Sequence, residues 1–150
     1  PLVSVDLPIP IGIPTDYIPD KNMRLRLYRR LADLRKISEV DALAMEFQDR
    51  FGPLPEMVSN LFYQLKIKLY AEAAGLSAIT PENGQLALRF PEDIPQHELP
   101  DLGDLVRVGK FALWLSYNGQ TNWREVLLEV LQRLCSHRES STMPIKQPTS

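Results

Sequence analysis

Two acids three residues apart, Glu46 and Asp49, and a dense run of cations are the side-chain concentrations in this 150-residue sequence most suited to recognition chemistry. On a helix a spacing of three sets both carboxylates on one face. That face is either simply solvated, with Glu46 and Arg50 forming an i,i+4 ion pair of a few tenths of a kcal/mol, or it is a negative patch whose charge complementarity selects a basic partner surface. The cations are Lys21, Arg24, Arg26, Arg29, Arg30, Arg35 and Lys36, seven within sixteen residues. Arg26, Arg29 and Arg30 are the candidates for contact with phosphate or with protein. On a helix they fall, with Asp33, away from Leu27, Leu31 and Leu34, as a solvated or protein-contacting face would. Tyr28 flanks the apolar stripe, so no aromatic ring interleaves with these cations to stack on bases.

Other constellations are weaker. Cys135 as a nucleophile needs an activating base, and His137, two residues on, points off a helix end rather than towards it. His97 stands in an acidic loop with Asp93, Glu98 and Asp101, where a metal would require convergent geometry. The seven glycines are scattered, with neither GxGxxG nor GxxxxGK[ST] among them. No catalytic, cofactor or metal site is expected, and the chain is not read as an enzyme.

Composition narrows the classes further. With 44% apolar and 24% charged residues, the sequence is of ordinary globular type, and no apolar run approaches a membrane span. A net charge of −2 provides no overall field to draw the chain to nucleic acid or an anionic membrane. The single cysteine fits a reducing, cytoplasmic setting. The opening at Pro1, already strand-like and without signal-peptide organisation, suggests a fragment of something longer.

The elements that would carry these residues follow from periodicity. Residues 1–19 contain Pro8, Pro10, Pro14 and Pro19 and are expected to form an extended arm or edge strand. Asp20 caps a helix expected to run from Lys21 to about Lys36. Ser38 and Asp41 have the form of a capping box, opening a second helix with Val40, Leu43, Ala44 and Phe47 inward and Gly52 at its end. Pro55 starts a third helix, which Gly75 closes. Residues 76–80 and 85–90 then alternate with period two around a turn at residues 81–84, where Asn83-Gly84 provides the positive φ of a hairpin. Residues 91–109 are weakly patterned, and 110–117 read as a third strand. Asn122, with Glu125, opens a last helix carrying Val126, Leu127, Val130, Leu131 and Leu134. The expected architecture is a single α+β domain over residues 1–136, with three N-terminal helices, a small antiparallel sheet, a C-terminal helix and a flexible tail over 137–150.

Three stretches, Ile13-Pro-Thr-Asp-Tyr-Ile-Pro-Asp20, Met23-Arg-Leu-Arg-Leu-Tyr-Arg-Arg-Leu-Ala32 and Asp49-Arg-Phe-Gly-Pro-Leu-Pro55, resemble the C-terminal domain of the bacterial transcription-repair coupling factor family (TRCF, Mfd). The similarity is densest over residues 7–69, becomes a matching order of elements from the hairpin to the last helix, and does not extend past Ser136. The resemblance implies a module that follows an ATP- and Mg-dependent DNA translocase motor, itself absent here, in a protein that removes stalled RNA polymerase at lesions and recruits UvrA. It further implies packing on an N-terminal UvrB-like module, which masks the UvrA-binding surface until the motor engages. In that family the interdomain contact is carried by acids just ahead of the Asp-Arg-Phe-Gly motif, which fall on Glu46 and Asp49. Asp49 has a structural alternative as partner of Arg50 or of a backbone amide near the Gly52 turn. A nucleic-acid contact through Arg26, Arg29 and Arg30 remains the competing reading.

Overall fold

The computed structural model describes residues 2–94, 98–119 and 122–142. Within these the chain divides into two compact units, one made of Val5–Leu69 and the other joining the first four residues to the chain from Tyr70 onward.

In the first unit an extended arm leads to α1 (Lys21–Ala32), α2 (Ile37–Phe51) and the greater part of α3 (Glu56–Ala73). Asp20 caps α1 as its sequence position suggests, its Oδ1 accepting from the Asn22 and Met23 N–H groups at 2.8 and 3.2 Å. The helix stops at Ala32, short of Lys36. The reason lies in the next helix: Glu39 Oε1 accepts from the Lys36 and Arg35 N–H groups at 2.9 and 3.1 Å, which holds those amides at the start of α2. The Arg35 guanidinium meanwhile donates to the Ala32 and Leu34 carbonyls. The cap of α2 is therefore Lys36 with Glu39 at the third position, not Ser38 with Asp41. Asp41 instead forms an ion pair with Lys66 of α3.

Ile13 and Ile18 of the arm join Leu27, Leu31, Val40, Leu43, Phe47, Val58 and Phe62 in one apolar core. Phe47 is wholly buried and meets Phe51 and Phe62 edge to face, with centroids 5.8 and 5.1 Å away. Burial of this aromatic cluster, more than helix propensity, fixes the register of α2.

In the second unit Gly75, at φ +81°, ends α3 with the paired bonds of a Schellman turn, Gly75 N–H to Glu72 O and Leu76 N–H to Ala71 O. A five-stranded sheet follows, built from β1 (Ser4–Val5), β2 (Ala78–Glu82), β3 (Gln85–Arg89), β4 (Val106–Val108) and β5 (Ala112–Ser116) in the order β1-β2-β3-β5-β4. The β2–β3, β3–β5 and β4–β5 pairs are antiparallel. The β2–β3 hairpin turns on Asn83 and Gly84 alone, both at positive φ, so Pro81 and Glu82 belong to the strand rather than to the turn. β4 lies in the weakly patterned stretch and was not expected there. At three residues it is too short to show a period. Ile79, Leu86, Leu88, Leu113 and Leu115 share one buried sheet face, and α4 (Trp123–Thr142) packs against β5, its Leu127 and Leu131 fully buried.

The fold is α+β, as the segregation of helical and strand periods suggests. α4 continues to Thr142, so the first six residues of the expected tail are helical; residues 143–150 lie outside the described residues. No described helix is long and apolar enough to cross a membrane.

Candidate docking surface

α2 has two unlike sides. Val40, Leu43 and Phe47 face the core, and the positions between them, Ala42, Met45, Glu46 and Asp49, recur at intervals of three and four and so form one outward stripe. Met45 is 66% exposed at the middle of that stripe.

The end of α2 is held by the arm. The Tyr17 hydroxyl donates to the Gly52 carbonyl at 2.8 Å and approaches the Phe47 carbonyl at 3.2 Å, and its ring meets Phe51 edge-on at 6.0 Å. Burial raises the Tyr17 pKa, which keeps the phenol in its donating form. The Arg50 guanidinium lies over Phe51 at 4.9 Å. The Thr-Asp-Tyr-Ile-Pro stretch and the Asp-Arg-Phe-Gly stretch are thus two halves of one contact that fixes the orientation of the stripe.

The two acids have different surroundings. Glu46 is engaged by Arg30 of α1 through two hydrogen bonds, Nη1 to Oε2 at 2.6 Å and Nη2 to Oε1 at 3.1 Å, and by Arg50 at 3.4 Å. The hydrogen bond from Arg30 holds the Glu46 carboxyl below its ordinary pKa, and the same bond raises that of Arg30. Asp49 is exposed. Among the described residues its carboxylate has neither a hydrogen bond nor an ion pair, and it borders a shallow open hollow with Gln48, Pro53, Leu54 and Ser59. Neither structural role considered for Asp49, with Arg50 or with a turn amide, is seen.

The basic face of α1 is divided in the same way. Arg30 is committed to Glu46, Arg26 reaches only the Met23 sulfur at 3.9 Å, and Arg29 is exposed without a partner among the described residues. Periodicity could not reveal the Arg30–Glu46 pair, because its members lie sixteen residues apart on different helices. Met45, as a lone apolar residue on a polar face, carried no signal either.

The remaining candidates lie elsewhere. The Cys135 thiol donates to the Tyr70 carbonyl at 3.2 Å, and burial raises its pKa, away from the reactive thiolate. His97 lies outside the described residues. Asp101 accepts from the Gly103 N–H at 2.9 Å as a turn-forming side chain, and among the described residues no three His, Cys, Asp or Glu side chains converge to hold a metal.

Comparison with known proteins bears on the family and the fold. The TRCF domain family model matches residues 7–98. Among curated relatives, the transcription-repair-coupling factor of Mycobacterium bovis is 33% identical over 93 residues, 62% of this chain and 8% of that protein. That of Haemophilus influenzae is 40% identical over 69 residues, 46% of this chain and 6% of the relative. That of Escherichia coli is 31% identical over 89 residues, 59% and 8% of the respective lengths. The chain thus spans less than a tenth of the length of these relatives. A crystal structure of the C-terminal domain of transcription-repair coupling factor superposes with a TM-score of 0.80 at 18% identity, covering 93% of this chain and 95% of that one. The family model accounts for more than half of the sequence: the chain belongs to the TRCF domain family, and its fold is that of the C-terminal domain of a transcription-repair coupling factor.

Proposed function

We propose that this domain is a regulatory docking module that packs on the UvrB-like N-terminal module of its parent protein and masks the UvrA-binding surface until engagement with RNA polymerase and translocation by the motor release it. The observation that carries this reading is the outward stripe of α2, where exposed Met45 lies beside an Asp49 carboxylate that no described side chain neutralises. An apolar anchor flanked by a free negative charge suits a partner surface with a small apolar hollow and at least one Arg or Lys. Glu46 adds charge only where the partner competes with Arg30 and Arg50 for it, because its carboxylate already accepts two hydrogen bonds from Arg30 and one from Arg50.

On this reading the domain acts by occupancy rather than by chemistry. Docking blocks the competing partner, and release requires the contact to weaken by about 1–3 kcal/mol, the usual scale of coupling between sites. The test is calorimetric titration of the domain against the separately produced UvrB-like module at two salt concentrations, with wild type and Glu46→Ala/Asp49→Ala compared. Salt-sensitive binding that the double substitution abolishes supports the docking face. Equal binding by both proteins refutes these residues as the contact.

One observation favours the second reading, a nucleic-acid contact on α1: Arg26 and Arg29 are exposed without an acidic partner among the described residues. It predicts salt-dependent DNA binding lost in Arg26→Ala/Arg29→Ala.

A further inference from the structure

The sheet of the second unit ends on β4, whose outer edge pairs with no strand among the described residues. The pairing with β5 determines which backbone groups that edge presents. The Gly109 N–H donates to the Ala112 carbonyl at 2.9 Å, so these two residues form a hydrogen-bonded pair. Such pairs alternate along an antiparallel ladder, which makes Arg107 and Trp114 the next one and leaves Val106 and Val108, opposite Leu115 and Leu113, in the positions between. The N–H and C=O groups of Val106 and Val108 therefore point away from β5, along the free edge. The bond from the Phe90 N–H to the Phe111 carbonyl agrees, since in the same alternation it turns the Leu113 and Leu115 backbone towards β3.

The side chains sort by face. Residues directly opposite each other on neighbouring strands share a face, so Val106 and Val108 extend the buried face of Leu113 and Leu115. Arg107 lies with Trp114 on the other face, its guanidinium 5.4 Å from the ring centroid. Cover is incomplete at this end. Val108 is 40% exposed and Leu105, just before the strand, 46%. A hollow of about 140 Å³ opens between residues 102–105 and α4, its apolar lining Leu102, Leu105, Val126 and Val130. Arg107 is exposed, and no carboxylate pairs with it among the described residues.

We infer that β4 accepts an added strand, an extended acidic segment of a partner protein that carries an acid opposite Arg107 between apolar residues opposite Val106 and Val108. Main-chain bonds to Val106 and Val108 supply the affinity, and the alternation of side chains supplies the selectivity. The occupant is a partner rather than a second copy, because pairing of β4 with itself about Arg107 would set two guanidiniums opposite each other. A short edge strand with a central cation is guarded in this way against its own kind. The surface stands apart from the docking face of α2, and its residues belong to the other unit.

The test is amide hydrogen exchange followed by NMR on the whole isotope-labelled chain, with the peptide acetyl-Ser-Val-Glu-Val-Glu-Val-Ser-amide. In the free chain the Val106 and Val108 amides should exchange faster than that of Arg107, which bonds to β5. With about 1 mM peptide both valine amides should slow at least about threefold, as for a dissociation constant of about 0.5 mM or tighter, with little change at Arg107. Methylation of the peptide's valine nitrogens abolishes the effect. Val108→Pro removes one outward N–H without touching the bonds between β4 and β5, as a proline on an edge strand can, and abolishes the slowing at Val106 while the Arg107 amide stays slow. Arg107→Glu weakens binding of the glutamate peptide about fivefold and favours acetyl-Ser-Val-Lys-Val-Lys-Val-Ser-amide instead. Val106 and Val108 amides as slow as Arg107 in the free chain, or unchanged by the peptide, overturn the inference. So does equal protection of the wild type by the lysine peptide, or protection that grows with protein concentration alone, which would give the edge to a second copy.

Discussion

Arg30 of α1 and Glu46 of α2 face each other through two hydrogen bonds of 2.6 and 3.1 Å, so one cation of the α1 run and one acid of the α2 stripe neutralise each other. Arg50, at 3.4 Å, makes Glu46 the centre of a three-residue cluster. The two principal side chains are 51% and 36% exposed, so solvent screens the pair and its worth is modest despite good geometry. A double-mutant cycle with Arg30→Ala and Glu46→Ala should give a coupling of about 0.5 kcal/mol in urea unfolding. It should shrink at high salt.

The same pair has a defined pH dependence. The folded-state pKa of Glu46 lies below its ordinary value of 4.5. Its ionised form therefore favours folding above that value, and this contribution disappears as pH falls through the lower, folded-state pKa. The coupling measured at pH 7 should persist at pH 5.5 and be absent well below pH 4. A coupling unchanged at acidic pH would show that the pair contributes packing rather than charge.

Tyr17→Phe tests whether the arm holds the end of α2. The substitution keeps the ring contact with Phe51 but removes the donor to the Gly52 and Phe47 carbonyls. Loss of a part-buried hydrogen bond should cost about 1 kcal/mol in urea unfolding. Amide exchange of the Gly52 N–H, which donates to Gln48 O, should also accelerate as the last turn of α2 loosens. An unchanged exchange rate would mean that the aromatic contact alone suffices.

Gly52→Ala separates conformation from crowding. A Cβ there would meet nothing within 4 Å, yet φ is +94° with ψ −174°, a region almost confined to glycine. The expected cost is on the order of 1–3 kcal/mol, with no relief from substitutions around the site. A loss below about 0.5 kcal/mol would indicate that the turn has an alternative conformation.

Much of this arrangement was legible in the sequence, because local rules govern it. The Asp20 cap, the Gly75 terminator, the Asn83-Gly84 turn and the inward stripe of α2 each depend on residues within about one turn of each other. Features set by tertiary contact were not legible. Arg35 and Glu39 decide where α1 ends through bonds that compete with helix continuation. β4 exists because β5 offers it an edge, not because Val106-Arg107-Val108 has a distinctive period. For the site, spacing put Glu46 and Asp49 on one face but could not tell which carboxylate is satisfied, since that depends on where α1 lies.

That asymmetry leads to the sharpest prediction for docking. Of the two acids, Asp49 presents a charge uncompensated among the described residues, whereas a partner's cation gains Glu46 only by displacing Arg30 and sharing it with Arg50. Asp49→Ala should therefore weaken binding to the UvrB-like module by tenfold or more, as for a lost charge-assisted hydrogen bond of about 1.5–3 kcal/mol. Glu46→Ala should cost less, and adding Arg30→Ala to it should recover part of the loss, because the double substitution removes a cation left facing a basic partner. Met45→Ala, which leaves both charges in place, should weaken binding with little change in salt dependence, as an apolar anchor would. If Glu46→Ala proves the more damaging and Arg30→Ala does not relieve it, then Glu46 must exchange Arg30 for the partner on docking, and the ion pair seen here belongs to the undocked state.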